Sequence, residues 1–230
     1  MRELQIAEGE HYHVFNRGMH KHNIFNNNRD YLRFLFLILH FQSPLTFDNL
    51  SWDLTNFAKT MEPRGLGSKQ YRKKVGRIVE ERTVELVAFA LMPNHFHLVL
   101  KEIESGGISF YMQRVQNSFT KYSNTKNKVS GHLFQGPYKI VHIDDNDQLL
   151  YTSAYIHRNC REIKLWQNKE ESYPWSSYQD YVKNNRLGNL LADNAIREQF
   201  PNIDEYKTWV ETSGAKDGKS ELKDISQIEN

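Results

Sequence analysis

The sequence predicts an α+β domain in which helices pack on a central, mainly antiparallel sheet. Segments typical of strands and helices follow the order strand–helix–strand–strand–helix–strand–helix along the chain. Aromatic residues make up 13% of the 230 residues, and they supply the large apolar surfaces that a core requires. We expect one domain over residues 1–185, a C-terminal helical extension over 186–212 and a mobile tail over 213–230.

The composition excludes several classes of protein. The 30 basic and 28 acidic residues give a net charge of +2, so the chain as a whole is nearly neutral. No segment approaches the roughly 20 apolar residues of a membrane-spanning helix. The N-terminus lacks the apolar centre of a secretory signal. The single cysteine, Cys160, excludes an internal disulfide framework and a zinc site made of several cysteines. We therefore expect a cytoplasmic protein.

The first third of the chain contains one strand and two helices. Residues 11–17 are typical of a short strand. Residues 29–41 are densely apolar without Gly or Pro, too long for an ordinary strand, and predict a buried helix capped near Asn28. Pro and Gly in residues 43–67 indicate an irregular connection with room for a short helix. A further helix is expected over residues 69–81.

The middle of the chain predicts an antiparallel hairpin. Residues 83–91 and 95–101 are typical of two strands. Between them, Pro93 and Asn94 suit the two central positions of a tight turn. Four elements are expected after the hairpin: a helix over 108–123, a loop and strand over 131–141, a helix over 144–159 capped by Asp144 or Asp145, and a short helix opening at 173–178.

Two segments carry an excess of basic residues. Residues 59–82 contain eight basic and three acidic residues, and residues 114–128 contain four basic residues and no acidic one. Such segments suit a polyanion such as nucleic acid, although either could equally be a solvated surface. We expect reversal of the charges in the second segment to weaken nucleic-acid binding and flatten its salt dependence. The predicted nucleic-acid-binding residues are Arg114, Lys121, Lys126, Arg17, Lys139 and Arg158.

Four side chains on the predicted hairpin and the predicted helix 144–159 could carry chemistry. His95 and His97 alternate along a strand, so both imidazoles point to one face and could chelate a divalent metal. A His-X-His pair alone, however, more often binds nothing. Tyr155 and Asn159 lie one helical turn apart and could add a phenol and an amide oxygen. Tyr151 shares that helical face, so spacing does not choose between the two phenols.

The remaining histidines are expected to have structural or surface roles. His11 and His13 repeat the His-X-His spacing on the first strand, where contact with DNA or metal is the minority interpretation. His157 lies off the helical face of Tyr155, and we expect it to face solvent or a phosphate.

Four blocks of the sequence resemble the single-tyrosine HUH transposases, and most closely the REP-associated tyrosine transposases. The most specific block is Met-Pro-Asn-His-Phe-His-Leu-Val-Leu from Met92, which is similar to the metal-binding strand of that family. The other blocks begin at His11 (His-Tyr-His-Val-Phe-Asn-Arg-Gly), Gly131 (Gly-His-Leu-Phe-Gln-Gly-Pro-Tyr-Lys) and Tyr155 (Tyr-Ile-His-Arg-Asn). Cys160 departs from the family, which often has Pro after the residue at the position of Asn159.

The resemblance implies a fold, a set of roles and a function. The fold is a ferredoxin-like or RRM-like HUH endonuclease fold. His95, His97 and Asn159 would bind Mg²⁺ or Mn²⁺, and Tyr155 would be the nucleophile. The implied enzyme cleaves single-stranded DNA beside hairpins through a covalent 5′-phosphotyrosine and can rejoin the strands. Its expected partner is DNA, which would associate it with the nucleoid, and no membrane partner is expected. Relatives include both homodimers and monomers.

Two alternatives remain at the level of sequence. The chain could be a catalytically silent or domesticated binder of structured single-stranded nucleic acid. It could also be a metal-dependent phosphodiesterase that activates water, a reaction that would not need Tyr155.

Overall fold

The computed structural model describes residues 5–62 and 67–214, so the predicted tail lies outside the described residues from residue 215 onward. Within these ranges one sheet contains four strands: β1 (His11–Arg17), β2 (Val84–Met92), β3 (His95–Glu102) and β4 (Lys139–Ile143). The α-helices of the described ranges are α1 (Asn28–His40), α2 (Leu50–Thr60), α3 (Lys69–Glu80), α4 (Gly107–Asn127), α5 (Asn146–Arg158), α6 (Tyr178–Val182), α7 (Asn194–Arg197) and α8 (Ile203–Thr212).

The sheet has the strand order β2-β3-β1-β4, and every neighbouring pair of strands is antiparallel. Apart from inserted helices, the chain follows the order β1–α1–β2–β3–α4–β4, which is the ferredoxin-like arrangement. The predicted fold class is therefore confirmed. Helices α2 and α3 form an insertion between α1 and β2, and α2 occupies the connection that the sequence predicted to be irregular.

The two faces of the sheet have different coverings. On one face, the Phe96 ring of β3 packs against Phe34 of α1, with ring centroids 5.0 Å apart. Phe34 in turn packs against Phe119 of α4, so α1 and α4 form a helical layer on this face. On the opposite face, Tyr155 of α5 packs against His97. The helix α5 therefore covers the face of the sheet that carries the two predicted metal ligands.

Side chains cap the helices close to the predicted residues. The Asn27 side chain accepts hydrogen bonds from the backbone N–H groups of Arg29 and Asp30, so the cap of α1 is one residue earlier than expected. Asp145, one of the two residues proposed for the next cap, accepts from the Gln148 N–H and starts α5. The Asp145 cap determines where α5 begins, and hence where Tyr155 lies on this helix.

The predicted helix at residues 173–178 begins later than expected. This segment runs along β2, where the Leu91 N–H donates to the Trp175 carbonyl at 2.9 Å and Ser176 forms a bridge with Ala90. Only at Tyr178 does helix α6 begin. The free edge of β2 supplies backbone partners to this segment, and those long-range partners outweigh the local preference for a turn of helix.

The expectation that His157 faces solvent or a phosphate is also wrong. His157 is fully buried, with Nε2 2.8 Å from the Ser177 hydroxyl and Nδ1 2.7 Å from the Tyr206 hydroxyl. Tyr206 lies on α8, so residues beyond the predicted boundary at 185 pack directly on α5. The division of the chain at residue 185 stays a prediction. None of the helices in the described ranges is long and apolar enough to cross a lipid bilayer.

Candidate active site

The pairing of β1 with β3 determines which side chains surround the two histidines. His97 lies opposite Phe15 and His95 lies opposite Arg17 in the antiparallel register. Because directly opposed residues share a face of the sheet, β1 contributes His13, Phe15 and Arg17 to the histidine face. The Phe15 ring stacks on His97 with the centroids 5.7 Å apart.

His13 contacts His97 directly. Its Nε2 lies 2.9 Å from Nδ1 of His97, and the two rings are stacked. His13 is 1% exposed, and this burial lowers its pKa to about 3, so the imidazole is neutral at physiological pH. One proton is therefore held between the two nitrogens. The sequence signal was the repeated His-X-His spacing, but only the strand order reveals that β1 lies beside β3.

The two ring nitrogens of His95 contact two different amides. Nδ1 lies 2.6 Å from Oδ1 of Asn94, and Nε2 lies 3.1 Å from Oδ1 of Asn159. An imidazole that donates its Nδ1 proton to Asn94 presents a lone pair at Nε2. Asn159 is fully buried, and its Nδ2 has no hydrogen-bond partner. With the His95 proton on Nδ1, the lone pairs of Nε2 and of the Asn159 oxygen would face one another in a buried position.

Tyr155 is the phenol of α5 that lies against the histidines. Its ring is perpendicular to that of His97, with centroids 5.6 Å apart, and its centroid is 6.1 Å from that of His13. Tyr155 is 5% exposed. Tyr151, one turn earlier, is partly buried against the hydrophobic core. Tyr155 packs against the rings of His97 and His13, and its choice over Tyr151 as the nucleophile stays a prediction.

A cleft of about 370 Å³ opens beside the histidine pair. Three cations, Arg17, Lys21 and Lys139, line this cleft together with His95, His97 and Phe15. No carboxylate is among the described residues that line it. Lys21 and Lys139 are exposed to solvent. The cleft therefore combines positive charge with an aromatic face, a combination that suits a nucleotide and its phosphate.

Two of the predicted nucleic-acid-binding residues are engaged with the protein itself. The Arg114 guanidinium donates to the carbonyls of Ser43, at 2.5 Å, and Leu45, at 2.8 Å. Burial lowers the pKa of Arg114. The Lys126 ammonium lies 2.6 Å from a carboxylate oxygen of Asp30, a residue that is 3% exposed. These two cations hold α4 to neighbouring segments of the helical layer.

The remaining predicted residues lie in three different environments. Arg17 and Lys139 line the cleft beside the histidines. Lys121 is exposed on the outer surface of α4, in a groove that Arg33 of α1 also lines. Arg158 is 2% exposed and borders a small cavity together with Glu170 and other polar side chains. The structure therefore brings two of the six residues next to the candidate active site.

The donor set fits a divalent cation. No group of three or more His, Cys, Asp or Glu side chains that could hold a metal ion occurs in the described part of the chain, so a site here depends on the Asn159 amide. His95 Nε2 and Asn159 Oδ1 lie 3.1 Å apart, so both atoms could contribute to holding one cation together with His97.

Part of the chain matches a known family model. Residues 63–159 match the model of a family described as "Transposase IS200 like". This match covers less than half of the chain, and it confirms the resemblance to single-tyrosine transposases. A solved structure, "Structure of the REP associates tyrosine transposase bound to a REP hairpin", is similar at 15% identity and a TM-score of 0.45, covering 79% of this chain and 84% of that one. No curated protein matches the sequence.

Proposed function

We propose that this chain is a DNA strand transferase that cleaves single-stranded DNA next to a hairpin and rejoins it through a phosphotyrosine. The observation that carries the proposal is the convergence of four side chains from two separate elements. His95 and His97 come from β3, and Tyr155 and Asn159 come from α5 and the turn that follows it. The family match over residues 63–159 supports the same chemistry.

The cleft beside the histidines provides a place for an unpaired strand. Arg17 and Lys139 would bind phosphate oxygens, because no carboxylate among the lining residues competes for them. Phe15, which is 6% exposed, would have to become accessible to stack on a base, and Lys139 lies 5.9 Å from the centroid of its ring. Bases are available for stacking only where the strand is unpaired, which favours a single-stranded scissile site. The similar solved structure is that of a transposase bound to a REP hairpin.

In the proposed reaction the Tyr155 oxygen attacks phosphorus and loses its proton. The bond from phosphorus to the 3′ oxygen breaks, and that oxygen takes up a proton to become a free 3′-OH. The 5′ phosphate is now joined to Tyr155 as a phosphodiester, so the number of phosphodiester bonds is unchanged and no ATP is required. Attack by another 3′-OH on the phosphotyrosine reverses the step and joins two strands.

The three remaining residues would hold a divalent cation, Mg²⁺ or Mn²⁺. When bound by His95, His97 and Asn159, such an ion supplies Lewis-acid polarisation of a phosphate oxygen. His13, at 2.9 Å from His97, orients the second imidazole of the set. The buried position of Asn159 excludes water from its amide, which strengthens its interaction with a cation.

A second candidate function is binding of structured single-stranded nucleic acid without cleavage. The observation that favours it is the burial of Tyr155, which is 5% exposed and must become accessible to a phosphate for the reaction to occur. This candidate uses the same cleft but makes no covalent bond.

The test uses the full chain, Mn²⁺ and hairpin DNA with a single-stranded flank, labelled at either the 5′ or the 3′ end. Strand transfer predicts a protein–DNA adduct that survives SDS and carries the label of the 3′ fragment. The adduct should form with Tyr151→Phe and be lost with Tyr155→Phe, and removing the cation with EDTA should prevent it.

The other outcomes separate the alternatives. Cleavage without an adduct indicates that water is the nucleophile, and binding without cleavage indicates the second candidate. Either result contradicts the proposed strand transfer, provided that circular dichroism shows the variants to be folded.

A further inference from the structure

Asn94 links a metal-ligand candidate to a turn at the far side of the cleft. Its Oδ1 lies 2.6 Å from Nδ1 of His95, and its Nδ2 donates to the backbone carbonyl of Lys21 at 3.1 Å. A carbonyl oxygen can only accept a hydrogen bond, so the amide must present its nitrogen to Lys21 and its oxygen to His95. The orientation of the Asn94 side chain is thus determined by the turn.

This orientation has a consequence for the imidazole. Both ring nitrogens of His95 face amide oxygens, which can only accept, and a neutral imidazole carries one proton. The contact of Nδ1 with Asn94, at 2.6 Å, is shorter than that of Nε2 with Asn159, at 3.1 Å, and therefore favours the proton on Nδ1. The other nitrogen, Nε2, is then unprotonated and faces Asn159. This is the tautomer that a metal ligand needs at Nε2.

The turn that carries Lys21 is held in an unusual conformation. His20 and Lys21 are consecutive non-glycine residues in the left-handed region, with φ of 53° and 61°. Gly18 allows the backbone of residue 22 to approach closely, because a Cβ at this position would meet the His22 carbonyl oxygen at 2.2 Å. The Gly18 N–H also donates to the Asn94 carbonyl at 2.8 Å, so backbone and side chain of Asn94 are both tied to the turn.

The same turn contributes to the substrate cleft. The exposed Lys21 side chain lines the cleft next to His95 and Arg17. One strained segment thus presents a cation to the cleft with its side chain and fixes the Asn94 amide with its carbonyl. Strained backbone of this kind persists where the surrounding contacts over-determine it, which occurs often at functional sites.

We propose that Asn94 is a positioning residue through which the turn of residues 18–22 sets the tautomer of His95. Its link to metal binding rests on the proposed function, whereas the tautomer rests on the contacts of His95 with Asn94 and Asn159 and on the orientation of the Asn94 amide. Asn94 does not touch the reacting atoms in this account.

The first experiment reads the tautomer without metal or DNA. The full chain is labelled with ¹⁵N-histidine, and the His95 signals are identified by their loss in His95→Gln. Wild type should show one tautomer, with the proton on Nδ1. Asn94→Leu should give a mixture, and Asn94→Asp should keep the Nδ1 proton because a carboxylate also accepts. Unchanged His95 signals in folded Asn94→Leu would overturn the proposal.

A remote variant tests the role of the turn. Gly18→Ala leaves His95 and Asn94 intact but displaces the turn, since its Cβ cannot fit against the His22 carbonyl. We expect the His95 tautomer to shift as in Asn94→Leu. Gly76→Ala, where a Cβ meets no atom within 4 Å, is the matched control and should leave the signals unchanged. If both glycine variants fold and resemble wild type, the turn does not set the tautomer.

The second experiment measures Mn²⁺ affinity by calorimetry on the same proteins without DNA. We expect Asn94→Leu to bind Mn²⁺ about 10–100-fold more weakly than wild type, and Asn94→Asp to bind at least as tightly as wild type. Asn127→Leu, on the exposed end of α4, is the control and should match wild type. Equal affinities of wild type and Asn94→Leu would contradict the proposal. If wild type binds no Mn²⁺, the metal part of the proposed function fails, and the tautomer measurement still decides the role of Asn94.

Discussion

Two groups of basic residues in this molecule have different surroundings. Arg17 and Lys139 line the cleft beside the histidines, and no carboxylate is among the described residues that line it. In the helical layer, Arg114 donates to backbone carbonyls and Lys126 pairs with the buried carboxylate of Asp30. A phosphate can recruit the first pair without removing a donor from a buried acceptor. It can recruit the second pair only by removing a donor from buried acceptors.

The difference shows that the number of charges in a segment does not indicate how many are available to a ligand. The sequence has its excess of basic residues in 59–82 and 114–128, whereas the cleft draws its cations from residues 17, 21 and 139. Strand pairing and the turn after β1 bring these three isolated cations together. Charge clustering in space is therefore a property of the fold here.

The largest expected effect is at the histidines of the cleft. His97→Ala should lower Mn²⁺-dependent cleavage by about 100-fold or more, because the proposed cation would lose a ligand and transition-state stabilisation by a metal is worth several kcal/mol. DNA binding should change little, since the cleft cations remain. Parallel measurements of cleavage rate and of DNA affinity by fluorescence anisotropy check this, and an equal loss in both would show that His97 acts in binding.

The second effect concerns stability in the helical layer. Arg114→Met should destabilise the fold by about 1–3 kcal/mol, because the Ser43 and Leu45 carbonyls lose their donor while the aliphatic part of the side chain is retained. Urea unfolding measures the change. Lys121→Met, at an exposed site on the same helix, is the control and should leave stability unchanged. If Arg114→Met is as stable as wild type but binds DNA more weakly, Arg114 contacts nucleic acid and does not stabilise the fold.

A third prediction concerns the pH dependence of the helical layer. His40 donates from Nδ1 to the Phe36 carbonyl and accepts at Nε2 from the Tyr71 hydroxyl. Burial lowers its pKa to about 3, so the unfolded chain takes up a proton below about pH 6.5 that the folded chain does not. His40 therefore favours the folded state fully above that pH, and this contribution declines as the pH falls towards 3.

The expected slope is about 1.4 kcal/mol of unfolding free energy per pH unit between about pH 6 and pH 4. Urea unfolding of wild type and His40→Gln across this range should give a shallower dependence in the variant by that amount. Identical slopes would mean that His40 is protonated in the folded protein.

The smallest expected effects are those of single cations in the cleft. Arg17→Met and Lys139→Met should each reduce the salt dependence of single-stranded DNA binding by about 0.7 in the logarithmic slope, because each removes one phosphate contact. Lys121→Met serves as the comparison from the helical layer and should change the slope less. A larger change for Lys121 than for Arg17 would place the DNA on the groove between α1 and α4.

The sequence predicted the sheet and most of its helices because local patterns determine them. The apolar run that predicts α1 and the Pro-Asn pair that predicts the turn between β2 and β3 each lie within the element that they predict. The pairing of β1 with β3 is not local, since it joins residues between 78 and 90 positions apart, and the contact of His13 with His97 follows only from it. For the same reason the burial of His157 against Tyr206 could not be read from the helical face of Tyr155.

The measurement that tests the central claim most directly is identification of the residue joined to DNA. The full chain is incubated with hairpin DNA and Mn²⁺ and digested with protease and nuclease, and the nucleotide-bearing peptide is sequenced by mass spectrometry. Strand transfer through Tyr155 predicts a 5′-nucleotide on the Tyr155 oxygen and none on Tyr151. A nucleotide on Tyr151, or cleaved DNA with no modified tyrosine, would contradict it.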